Sequence, residues 1–135
     1  MKPTNKPMKR LSLYLFLIFF TLQTPSQADI TGLYSGNLIY ENRPKLPVVS
    51  EFKINEEGDV VGKYRFIDET NYEGAFHEGK LKGTNLKVLW TDDFGKGWLE
   101  IKFDEKFETF TGEWGFIVDN LEKNKEGGWT GEKIY

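Results

Sequence analysis

Few side chains in this sequence could do covalent or acid-base chemistry, and their spacing suits it poorly. There is one histidine, His77, and no cysteine; beyond residue 28 the serines are Ser35 and Ser50. A hydroxyl nucleophile needs a base beside it and a third group to orient that base. One histidine and two serines offer little for such a set. His77 alternates out of phase with Tyr72, Gly74 and Phe76, so it is expected on the outer, solvated face of a strand. Carboxylates are plentiful, but Glu51, Glu73, Glu100, Glu108 and Glu113 fall on polar faces, and nothing selects two of them as a glycosidase pair. Asp92-Asp93 and Asp119-Asn120 offer hard oxygen ligands without the spacing or closing glutamate of a calcium loop. The expectation is a protein that is not an enzyme and uses neither a metal nor a cofactor.

Binding is a better prospect, because aromatic residues are abundant. Seventeen of them fall between residues 29 and 135, more than a small core commonly uses. Tyr34, Tyr64, Trp90, Trp98, Trp114 and Trp129 could line a mouth that holds a small hydrophobic or aromatic-stacking ligand. A protein-protein surface is the alternative. In it Arg43, Pro44 and Lys45 belong to a loop stiffened by Pro44 and Pro47, which lowers the ordering cost of binding. Trp98 points opposite to Leu99, Ile101 and Phe103 and would be an exposed anchor.

The elements that must position these residues read as strands. Ser50, Phe52 and Ile54 alternate with Glu51 and Lys53; Glu56-Glu57-Gly58-Asp59 is a turn; Val60, Gly62, Tyr64 and Phe66 resume the alternation. This is a β-hairpin. The same pattern continues through Tyr72 to Phe76, Leu86 to Trp90, Leu99 to Phe103 and Phe110 to Phe116. With Ile30 to Tyr40 in front and Trp129 to Tyr135 behind, the count is eight. Short connections favour an all-β, eight-stranded antiparallel meander barrel. Glycine recurs two residues before an inward aromatic in Gly32-x-Tyr34, Gly62-x-Tyr64, Gly74-x-Phe76 and Gly112-x-Trp114. Strand glycine is costly unless bending or close packing requires it, as barrel closure does. Two segments, Glu41 to Pro47 and Val118 to Gly128, are read as long loops at one mouth. Eight strands enclose an interior that side chains can just fill, so an open mouth and a solid core both remain.

Upstream, Lys2, Lys6, Lys9 and Arg10 precede the mostly apolar run Leu11 to Leu22, and Ser26-Gln27-Ala28 places small residues at a cleavage site. Residues 1–28 are expected to be a signal peptide, and 29–135 a single exported domain, periplasmic or secreted. The remaining 107 residues carry 14 basic against 21 acidic side chains, a net charge near −7. Such a surface repels nucleic acid and anionic lipid. Outward Lys53, Lys63, Arg65, Glu100 and Lys102 also exclude a lipid-facing barrel. The partner is then a small molecule or another exported protein.

Ile30-Thr31-Gly32-Leu33-Tyr34, Phe52-Lys53-Ile54, Gly58 and Val61-Gly62-Lys63-Tyr64 together resemble the opening three strands of the avidin and streptavidin family. Val88-Leu89-Trp90 and Phe110-Thr111-Gly112 resemble its later strands. The resemblance implies an eight-stranded barrel with a ligand in its mouth, Ser50 and Tyr64 at positions that hydrogen-bond biotin, and Trp90 in an aromatic wall. Gly36 and Phe66 depart from the family's polar positions.

Overall fold

The computed structural model describes residues 29–135; the stretch read as a signal peptide lies outside the described residues. Eight strands follow one another: β1 Gly32–Tyr40, β2 Leu46–Ile54, β3 Val60–Phe66, β4 Glu73–Lys82, β5 Asn85–Asp92, β6 Gly95–Phe103, β7 Thr109–Val118 and β8 Leu121–Lys133. Each pairs antiparallel with the next, and β1 pairs with β8, so the sheet closes into an up-and-down barrel with no crossover. No helix among the described residues is long and apolar enough to cross a membrane. Alternation decides which side of the wall each residue takes. Val60, Tyr64, Phe66, Leu86, Val88, Trp90, Leu99, Ile101 and Phe103 are buried inside, whereas Lys53, Lys63, Arg65, Glu100 and Lys102 are exposed outside.

Glycine and aromatic residues face each other across the strands. Tyr64 is opposite Gly74, Trp90 opposite Gly97, Phe110 opposite Gly131 and Trp114 opposite Gly127. A side chain at Gly74 would fall inside the Tyr64 ring, and one at Gly131 inside the Phe110 ring. Gly62 lies between Phe52 and Phe76 on the two neighbouring strands, and those rings stack at 4.8 Å over it. The spacing of two along a strand is therefore one projection of a pairing that runs around the barrel. Each large ring lies flat over a bare stretch of its neighbour, which lets a narrow interior hold many of them.

Three connections are tighter than the sequence suggested. Val118 to Gly128 is not a long loop: Asp119 and Asn120 both take positive φ, 54° and 63°. They form a two-residue turn of the I′ kind, whose twist matches a hairpin. Asn and Asp tolerate that conformation through local hydrogen bonding, so strand pairing continues through a polar stretch with no hydrophobic alternation to announce it. β8 accordingly begins at Leu121, not at Trp129. Likewise Gly95 and Gly97 belong to β6, and Asp93-Phe94 alone is the turn. The first loop is shorter as well, Glu41 to Lys45, because Pro47 lies in β2.

The two ends of the barrel differ. At one end Tyr34 packs edge-on against Phe52, Phe103 and Phe110 at 5.4 to 5.8 Å. Its hydroxyl donates to the carbonyls of Ile30 (2.7 Å) and Phe107 (3.2 Å). Ile30 and Phe107 are themselves buried and close that end. The other end carries the β1–β2, β3–β4, β5–β6 and β7–β8 connections and is open.

Candidate ligand-binding site

The open end is a bowl of about 530 Å³, within the range of small-molecule sites. Its floor is made of inward residues from four strands: Tyr64 of β3, Trp90 of β5, Trp114 of β7 and Trp129 of β8. None of these is more than 4% exposed, so the floor is sealed and closes the bowl off from the barrel axis. Leu38, Tyr40, Leu46, Phe66 and Phe116 form the wall, with Phe94 at the lip. Arg43, Pro44 and Lys45 reach the same bowl from the β1–β2 loop. The rings stand perpendicular to their neighbours. Tyr40 meets Trp114 at 5.0 Å and 81°, and Phe116 meets Trp90 at 5.5 Å and 68°. Both ring faces and ring edges therefore line the space.

Polar groups at the floor are already paired. The indole N–H of Trp90 donates to the Trp98 carbonyl, that of Trp114 to the Ile39 carbonyl, and that of Trp129 to Ser50 Oγ at 3.0 Å. The Tyr64 hydroxyl donates to Asp92 Oδ2 at 2.6 Å, while Asp92 Oδ1 accepts the Phe94 N–H at 2.8 Å. Burial, and then the bond to Asp92 and its charge, push the Tyr64 phenol well above its ordinary value of 10.0. Asp92 is only partly buried and joins no ion pair among the described residues. The Arg43 guanidinium lies 4.9 Å from the centre of the Tyr40 ring.

No family model, curated protein or solved structure matches this chain. The site is therefore read from its own geometry. Of the residues that the sequence put in a mouth, Tyr64, Trp90, Trp114 and Trp129 converge in the bowl. Tyr34 does not: it belongs to the plug at the closed end. Ser50, given a ligand contact by the avidin resemblance, is 1% exposed and occupied by Trp129.

Trp98 does point outward, but it is not exposed. The β7–β8 hairpin bends across it, helped by register shifts on either side of Gly115. The indole lies over Gly115 and donates to the Lys123 carbonyl at 2.9 Å, while Glu122 of the same arm meets Lys87 of β5 at 2.8 Å. The expected surface anchor is covered by its own chain, and Arg43, Pro44 and Lys45 line the bowl. Asp92 and Tyr40 were missed. The signal for Asp92 was available: it continues the inward phase of Val88 and Trp90. His77 is on the outer face as expected, bonded to Thr91 and Glu78. A broader depression of about 730 Å³ crosses the outer face near Lys80 and Lys87, but those ammonium groups are paired with Asp59 and Glu122.

Proposed function

We propose that this is an exported, non-enzymatic binding protein that holds a small, largely apolar ligand in the mouth of its barrel. The observation that carries the reading is the bowl of about 530 Å³, floored by three tryptophans and Tyr64 and open at one end only. Burying a flat apolar body against the part-exposed wall of Tyr40, Leu46 and Phe116 and the lip at Phe94 releases water from both surfaces at about 25 cal/mol per Å². The floor is built before a ligand arrives, so little ordering cost opposes that gain. Export rests on the basic and apolar pattern of residues 1–28.

The test is tryptophan fluorescence of residues 29–135 titrated with biotin, fatty acids, retinoids and oligosaccharides. One class is expected to give a saturable change that Trp90→Ala reduces at least about tenfold in affinity, the scale of a large hydrophobic truncation. A flat response to every class counts against a ligand-binding mouth.

A further inference from the structure

The chemistry left unpaired in the bowl selects among small molecules. We propose that its ligand is an organic cation, a flat apolar body bearing an ammonium or similar group, with Asp92 as the counter-charge. This inference rests on the binding-bowl reading above and narrows it.

Four observations lead there. First, all three indole N–H groups at the floor are committed to Trp98, Ile39 and Ser50, and the Tyr64 hydroxyl to Asp92. A ligand seated on the floor finds no free donor there, and its unmet acceptors would be penalised; the remaining side-chain donors, on Tyr40, Arg43 and Lys45, lie in the wall and at the rim. Second, Asp92 projects inward at the mouth, partly accessible and without an ion-pair partner among the described residues. Two hydrogen bonds fix its carboxylate in place, through Tyr64 and the Phe94 amide. Each oxygen keeps further lone pairs for a donor. Third, the part-exposed rings of Tyr40 and Phe116 line the wall, and the face of such a ring attracts cations. Fourth, the Arg43 guanidinium lies over the Tyr40 ring, so this wall already supports a cation-π contact. Arg43 and Lys45 bring positive charge to the rim, yet both are exposed to solvent. Their repulsion acts through water and salt, whereas Asp92 acts at close range in a partly desolvated pocket.

The experiment is calorimetric titration of residues 29–135 with three isosteric probes: 2-naphthylmethylammonium, 2-naphthalenemethanol and 2-naphthoate. The ammonium is expected to bind about tenfold more tightly than the alcohol, the scale of a desolvated cation-π contact with a counter-ion, and the carboxylate most weakly. Asp92→Asn keeps an oxygen for Tyr64 and is expected to bring the ammonium down to the level of the alcohol. Equal binding of ammonium and alcohol overturns the cation assignment and leaves the bowl standing. So does tightest binding by 2-naphthoate, lost in Arg43→Ala. Absence of heat with all three overturns the binding-bowl reading and this inference together. The three-probe series on the unaltered protein decides these cases even where Asp92→Asn fails to fold.

Discussion

The Tyr64 hydroxyl and the Asp92 carboxylate, 2.6 Å apart at the edge of the bowl, show how one buried phenol ties the floor to the rim. Tyr64 lies flat only because its cross-strand neighbour is Gly74, and its hydroxyl reaches Asp92 from that position. Desolvation and the adjacent carboxylate both disfavour the phenolate, so the phenol is raised above 10.0 in the folded protein. A raised value means that its contribution to stability is complete below pH 10 and is lost as pH climbs toward the folded-state value. Burial and the charges of Asp29 and Asp104 raise Tyr34 in the same way. Absorbance at 295 nm should therefore show Tyr34 and Tyr64 silent until alkaline unfolding. Tyr64→Phe should remove one of the late groups and cost about 1.5–3 kcal/mol in urea unfolding, the range for a hydrogen bond to a charged partner.

At the scale of elements, the β7–β8 hairpin departs furthest from its sequence pattern. From Glu122 to Glu126 it is polar on both faces, yet it stays paired through an Asp119-Asn120 turn at positive φ. The Trp98 latch and the Lys87–Glu122 pair fold it against the outer wall. Trp98 is consequently protected from solvent, at 8% exposure. Trp98→Phe should leave iodide quenching of the remaining fluorescence unchanged. It should also speed amide exchange in Leu121 to Glu126 by about fivefold, the equivalent of one net hydrogen bond. A steep fall in quenching would mean that the indole had been accessible all along. Period-two alternation located the strands with a buried face, because burial forces it. It could not locate an arm whose two sides are both wet, since no hydrophobic phase is selected there.

For the whole molecule, closure is the organising fact. With β8 paired to β1, no strand edge is left unpaired along the ring, and a 107-residue domain without disulfides gains stability from that continuity. Hydrogen exchange should find β1 amides facing β8 as slow as those between β5 and β6, where an open sheet would give one fast edge. The sequence by itself determined the all-β class, the number of strands and their order as a meander, because each follows from local alternation and short turns; among the aromatics it misplaced Tyr72, which is exposed just before β4, and missed Phe107, which is buried from a turn. It also brought Tyr64, Trp90, Trp114 and Trp129 to the interior. Depth along the barrel it could not supply: Tyr34 and Trp129 share an inward phase, yet one plugs the closed end and the other floors the bowl. That difference depends on the stagger between strands. The covering of Trp98, the occupation of Ser50 by an indole and the unpaired Asp92 were likewise decided in three dimensions. Each is a meeting between residues 25 to 79 positions apart, and period-two alternation carries no record of who stands opposite across a closed ring.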